Sequence, residues 1–314
     1  MVAAKKSKKL VDKCLQIKLA GIRFKNPVIL ASGTCGYGKK LSEFIDLNTV
    51  GGITTKGLSL KPRNGNPPPR IYETSSGVLN SIGLENVGTE KFIKDYLPFL
   101  KKFNTKIIAN IFGNSIDEYK EVAKLLSAED GISAIEINAS CPNVKKGGME
   151  FGKTPKGAGK LVEKVKSVSK VPVIMKLSPN VSNIEEIAKA SEDSGADALS
   201  LINTLVGMAI DTKTRKPRLS TTTGGLSGPA IKPVALAMVW KVKNAVSLPI
   251  IGMGGIMNSN DVIEFMIAGA SAIALGTAVM VNPYSVIEII NGLKSYCKEN
   301  KIVSIKEIIG SLQI

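Results

Sequence analysis

Histidine is missing from this chain altogether. That excludes imidazole bases, Ser-His-Asp triads and His-ligated metal centres, so any acid–base step falls to Cys, Lys, Ser, Tyr or a carboxylate. Cysteine is scarce, and Cys14, Cys35, Cys141 and Cys297 stand far apart with no CxxC pair. Such spacing gives this chain alone neither a zinc site nor an iron–sulfur cluster, and no disulfide framework; no metal site is expected, and a reducing cytoplasm is. Aromatic residues make up only 5% of the sequence, too few for the stacking platforms of a single-strand nucleic-acid binder. Long apolar runs are lacking too. The longest, around Ala272–Val281, is too short and too interrupted by glycine to span a bilayer, and the charged N-terminus has no apolar stretch of the secretory kind. No membrane association is expected. Gly252-Met253-Gly254-Gly255-Ile256-Met257 lacks the last glycine of GxGxxG. A Rossmann-type nicotinamide site is therefore not expected.

What is abundant is positive charge and glycine. The 314 residues carry 42 Lys+Arg against 26 Asp+Glu, a formal net charge of +16. Only the first nine residues cluster these charges; the other lysines spread along helical patterns and read as solvated faces. A nucleic-acid-binding barrel is the alternative this charge leaves open, and no nucleic-acid partner is expected. Hydrophobic content of 44% and 30 glycines suit a compact chain with many tight turns.

Eight β-branched apolar runs recur: Val28–Ser32, Gly52–Lys56, Lys106–Ile111, Ala134–Ala139, Val173–Leu177, Ala198–Asn203, Pro249–Met253 and Ala272–Thr277. Amphipathic segments separate most of them, at Glu90–Lys102, Asp117–Leu126, Gly159–Ser169, Ile184–Ser194, Lys232–Ala245, Asp261–Ala268 and Pro283–Lys298. This alternation predicts an α/β fold of the (β/α)8 TIM-barrel type. A doubly wound open sheet is the alternative, but continuous apolar runs favour strands covered on both faces, as a barrel demands. Residues 1–314 read as one barrel domain with a basic extension at about 1–13 and insertions at about 61–86 and 142–156. The first insertion holds Pro67-Pro68-Pro69 and shows no helical periodicity; the second holds Gly147-Gly148 and Gly152, glycines that a gating loop needs.

The runs end in polar and glycine residues, which this fold gathers at one mouth. The most informative is Asn138-Ala139-Ser140-Cys141-Pro142-Asn143, a strand end rich in amides with one thiol. Amides read planar polar ligands, and a thiol can move a proton near neutral pH. Lys56 and Lys176, also at strand ends, can form a Schiff base or stabilise negative charge. Gly254-Gly255 and Gly276-Thr277 close the seventh and eighth strands, where many barrels bind phosphate through backbone N–H groups. Together with Asn80 and Asn203, the amides suit a flat ring rich in carbonyl and N–H groups.

From about Leu15 to Leu293 the sequence resembles the class 1 dihydroorotate dehydrogenases of pyrimidine biosynthesis, which are FMN-dependent (β/α)8 barrels. The match is carried by Ala31-Ser32-Gly33, Thr55-Lys56-Gly57, Asn80–Asn86, Asn138–Asn143, Val173–Lys176, Ile202-Asn203-Thr204, Thr223–Pro233, Gly252–Gly255 and Leu275–Ala278. The resemblance implies that Cys141 is the base removing the C5 proton of dihydroorotate while flavin N5 takes the C6 hydride. It implies substrate contacts from Lys56, Asn80, Ser81, Ile82, Gly83, Leu84, Asn138, Asn143, Asn203 and Thr204. It implies FMN contacts from Ser32, Lys56, Gly57, Asn110, Asn138, Lys176, Ile202, Gly228, Gly254, Gly255, Gly276 and Thr277. Asn203-Thr204 and the stretch Asp211–Pro233 resemble class 1B. In that class a homodimer core joins a partner subunit carrying FAD and a [2Fe–2S] cluster, forming a heterotetramer that passes electrons to NAD+. Class 1A homodimers that use fumarate are the alternative.

Overall fold

The structure is a computed structural model that describes residues 13–139 and 151–314. Eight parallel strands form a closed barrel: β1 (Val28–Leu30), β2 (Gly52–Thr54), β3 (Lys106–Ile111), β4 (Ile132–Asn138), β5 (Val173–Leu177), β6 (Ala198–Leu201), β7 (Ile250–Met253) and β8 (Ala272–Leu275). Each strand pairs with its neighbours in sequence, and β8 pairs with β1 to complete the ring. Closure excludes the open doubly wound sheet. All eight expected strands are present, but several stop short of their expected ends: Ser32, Lys56, Asn203 and Thr277 fall beyond the last ladder residue. There the backbone leaves the sheet and the polar side chains are free to turn to a ligand.

Apolar β-branched runs form these strands because both faces are covered: residues of β1, β2, β5, β6, β7 and β8 are buried throughout. The outer faces meet helices at Ile116–Ser127, Pro155–Lys166, Ile184–Asp193, Lys232–Ala245, Ser259–Ile267 and Ser285–Glu299, and a helical stretch over residues 89–100 that includes a π turn at Phe92–Tyr96. Ser115, Thr154, Asn183 and Asn258 cap four of these helices by accepting a backbone N–H with the side chain. Each such cap contributes about 1 kcal/mol and fixes where the helix begins. Thr154 with Pro155 starts its helix four residues before the expected Gly159, inside the segment read as a loop. After β1, two 3-10 turns, Leu41–Glu43 and Leu47–Thr49, stand where a helix would be.

Three hairpins are not visible in the sequence pattern, the shortest pairing Ile210–Asp211 with Lys216–Pro217. Ile17–Leu19 and Ile22–Phe24 pair antiparallel and pack Phe24 against the start of β2, where a β-carbon on Gly52 would lie 3.1 Å from the ring. The insertion expected to be irregular over 61–86 contains a second hairpin, Ile71–Thr74 with Gly77–Asn80. It joins Gly224–Ser227 and Leu205–Gly207 from the β6 to β7 connection in a four-stranded antiparallel sheet.

The barrel interior is not wholly apolar. Glu136, 1% exposed, accepts from Asn110 Nδ2 at 2.6 Å and from Ser200 Oγ at 2.8 Å. A buried carboxylate is tolerated when donors satisfy it, and this layer underlies the mouth.

Candidate active site

A cavity of about 570 Å³ opens at the carboxyl ends of the strands, a size typical of small-molecule sites, about 300–1,000 Å³. Its floor is made by strand ends. Ser32, Lys56 and Gly57 come from β1 and β2, Asn138 and Lys176 from β4 and β5, and Ile202, Asn203 and Thr204 from β6. Gly254, Gly255, Gly276 and Thr277 follow β7 and β8, with Gly228 beside them. Its roof is the accessory sheet. Ile71, Asn80, Gly225 and Val206 stand opposite one another across the four strands, and all four line the cavity. Ser81, Ile82, Gly83 and Leu84 continue along the wall. Gly83 at φ +75° and Leu84 at φ +58° are both left-handed, a costly conformation for leucine that tends to persist where a site requires it.

Hydrogen bonds fix which end of each amide faces the ligand. The Thr204 N–H donates to Asn203 Oδ1 at 2.9 Å, so Asn203 turns its NH2 to Asn138 Oδ1 at 3.2 Å. Asn138 is left presenting its own NH2 as donor, while its backbone carbonyl accepts from Tyr119 Oη at 2.8 Å. Across the cavity, Asn80 Nδ2 donates to the Gly225 carbonyl at 3.0 Å and leaves Oδ1 as acceptor. Gly225 itself must lack a side chain, since a β-carbon would come within 2.1 Å of Thr204 Oγ1. The site thus offers one amide donor and one amide acceptor on facing walls.

The charged lining residues, among those described, are Lys56, Lys153, Lys176 and Glu85, so the cavity is electropositive. Lys176 is 6% exposed, and no described residue pairs with its ammonium. A desolvated cation in that position is stabilised by an anionic ligand. Lys56 Nζ lies 3.6 Å from Glu85 Oε2. The glycines differ among themselves. A β-carbon on Gly254 would meet Ala235 at 2.8 Å and one on Gly255 would meet Lys232 at 2.7 Å, whereas one on Gly276 would meet nothing nearer than 3.9 Å. Packing therefore demands glycine at 254 and 255, while at 276 glycine keeps ligand space open.

The expected cofactor contact Asn110 is fully buried and does not line the cavity; it lies one layer below. Its Oδ1 has no partner and sits 2.9 Å from where a Gly57 β-carbon would be. Cys141, Asn143 and most of the expected gating insertion lie outside the described residues, as does the basic N-terminal extension. Two other groups near the mouth are unsuited to be the base. Burial pushes the Cys35 thiol up to about 12, its Sγ lying against the Ala31 and Thr54 carbonyls at 3.7 Å. Burial likewise pushes the Tyr37 phenol up to about 12. Both stay protonated at neutral pH.

Residues absent from the sequence-based set also shape the site. Asn180, three residues past β5, donates to the Thr204 carbonyl at 2.9 Å and accepts from the Val206 N–H at 2.9 Å, which clamps the roof to the barrel. The strand-end logic that found Lys176 would have found it. Thr221 Oγ1 and Ser81 Oγ hydrogen-bond at 2.7 Å, a contact between two insertions that no local pattern signals.

A profile of the family described as dihydroorotate dehydrogenase matches residues 14–297. Three relatives are each named dihydroorotate dehydrogenase B (NAD(+)), catalytic subunit. The one from Desulforamulus reducens is 54% identical over 300 residues, covering 96% of this chain and 99% of that relative. The one from Geotalea uraniireducens is 53% identical over 298 residues, covering 95% and 98%. The one from Caldicellulosiruptor bescii is 54% identical over 300 residues, covering 96% and 99%.

Proposed function

Since the chain belongs to the dihydroorotate dehydrogenase family, we propose that it is the catalytic subunit of a class 1B, NAD-linked enzyme oxidising dihydroorotate to orotate in pyrimidine biosynthesis. The observation that carries the substrate reading is the pair of fixed amides, Asn138 as donor and Asn80 as acceptor, in a cavity lined by Lys56 and Lys176. A planar ring bearing carbonyl, N–H and carboxylate groups complements that set.

The residues fit FMN as the resident cofactor: Gly276 leaves space that no protein atom fills, and the Lys176 ammonium lacks a partner among the described residues. Bound FMN supplies the acceptor for the hydride leaving C6. Lys176 holds negative charge on the ring system, and the backbone at Gly254, Gly255, Gly276 and Thr277 holds the phosphate. Ser32, Gly57, Ile202 and Gly228 border the ring and its tail, and Asn110 supports Gly57 from below.

Substrate is oriented by Asn80, Asn138, Asn143, Asn203 and Thr204, with the 81–84 segment closing over it and Lys56 facing its carboxylate. Cys141, three residues beyond Asn138, takes the C5 proton as thiolate. An ordinary thiol titrates at about 8.5 and positive charge lowers that, so turnover rises with pH through the thiol range.

The chain lacks a Rossmann fingerprint and cluster-ligating cysteines. This agrees with the proposed class 1B arrangement, in which electrons leave through a partner subunit carrying FAD and [2Fe–2S], joined to a homodimer core, and reach NAD+. No helix among the described residues is long and apolar enough to cross a membrane, and we place the enzyme in the cytoplasm. The test is orotate formation by complex purified from the native source. NAD+ should support turnover, and efficient turnover of the bare subunit with fumarate would overturn the class 1B reading.

A further inference from the structure

Glu85 is the one carboxylate among the described residues lining a cavity otherwise charged by lysines. Its placement is heavily determined. Arg70 NH1 donates to Glu85 Oε2 at 2.7 Å, and the same guanidinium is anchored by its Nε to the Asn66 carbonyl and its NH2 to the Asn64 carbonyl. The left-handed pair Gly83 and Leu84 delivers the residue, and its Cβ packs where a side chain on Gly65 would collide, at 2.9 Å. An exposed surface ion pair needs none of this. Lys56 Nζ, by contrast, is 3.6 Å from the carboxylate, beyond hydrogen-bond range. Glu85 is thus bound firmly to Arg70 and loosely to Lys56.

We propose that Glu85 is a specificity-determining residue that competes with the ligand carboxylate for Lys56, and so limits how tightly the site holds its anionic product. The inference rests on the proposed function, which puts Lys56 at the carboxylate of orotate. When that anion arrives, Lys56 can turn to it without unseating Glu85, because Arg70 keeps the glutamate in place. The retained negative charge then repels the bound anion. With the carboxylate half-exposed, partial screening makes this repulsion worth a factor of about three to ten in affinity.

The experiment is titration of FMN-loaded protein with orotate, read by perturbation of the flavin absorbance. Glu85→Gln, which keeps shape and removes charge, should bind orotate about three- to tenfold more tightly than wild type. Arg70→Gln, which frees the carboxylate to close on Lys56, should bind it more weakly by a similar factor. If Glu85 served only to position Lys56 or to brace the loop, Glu85→Gln would weaken binding or leave it unchanged, and either result overturns the proposal. Absence of orotate binding by wild type would instead bring down the functional reading, and this inference with it.

Discussion

The two sides of the mouth recognise by different means. On the side built from β2, β4, β5 and the roof, side chains meet the ligand: Lys56, Asn138, Lys176 and Asn80. On the side built from β7 and β8, side chains are withheld, at Gly254, Gly255 and Gly276. Chemistry is encoded in the first and shape in the second. A substitution on the first side should change what is bound or reacted while the fold survives. On the second side the outcome should depend on what stands behind each glycine.

The largest effect is expected at the thiol proposed as the base. Cys141→Ser should slow flavin reduction by dihydroorotate by about two orders of magnitude, the typical worth of a positioned base. Unchanged reduction in stopped flow would remove Cys141 from the role. Lys176→Ala should weaken FMN binding about ten- to a hundredfold, as loss of a charged contact in a desolvated site does, measured by titrating apoprotein. A fully loaded yellow variant would contradict it.

On the second side, two neighbouring glycines should part company. Gly255→Ala forces a φ of +75° and a 2.7 Å approach to Lys232, so the apoprotein should melt lower by on the order of 5 °C. Gly276→Ala meets no protein atom nearer than 3.9 Å and bears only the strain of its ψ of −97°; the apoprotein should melt closer to wild type than Gly255→Ala does, while FMN affinity falls about tenfold. Equal behaviour of the two would erase the distinction between packing glycine and ligand-space glycine.

The smallest effect is expected at Cys35, near the mouth yet outside the chemistry. Cys35→Ala should leave turnover and its pH profile within about twofold of wild type. Its buried thiol has a pKa raised from the ordinary 9.0 to about 12, so folding favours the protonated form. Its contribution to stability is complete below the unfolded value and is lost as pH climbs from about 9 toward 12. Denaturant melts at pH 8 and pH 11 should show a smaller alkaline loss in the variant.

The barrel was legible because its strands are buried on both faces: Val173–Leu177 and Lys106–Ile111 were delimited from apolar runs alone. Strand-end residues were legible as a set for the same reason, since polar groups at the end of a buried run need a function. The roof was not legible. Its strands are three or four residues long, rich in glycine, and paired across the chain, as between Asn80 and Gly225, so no local period announces them. Sequence singled out Cys141 by its flanking amides, whereas the burial that disarms Cys35 is a tertiary property that only the structure shows. No local pattern sets Glu85 apart within Asn80–Asn86; its ties to Arg70 and Gly65 do.

The most direct test is anaerobic titration of the purified FMN-loaded protein with dihydroorotate, following the flavin absorbance and orotate together. The account requires the yellow colour to bleach as one orotate forms per flavin. A colourless protein that FMN cannot load, or a yellow one that dihydroorotate fails to bleach, would contradict it.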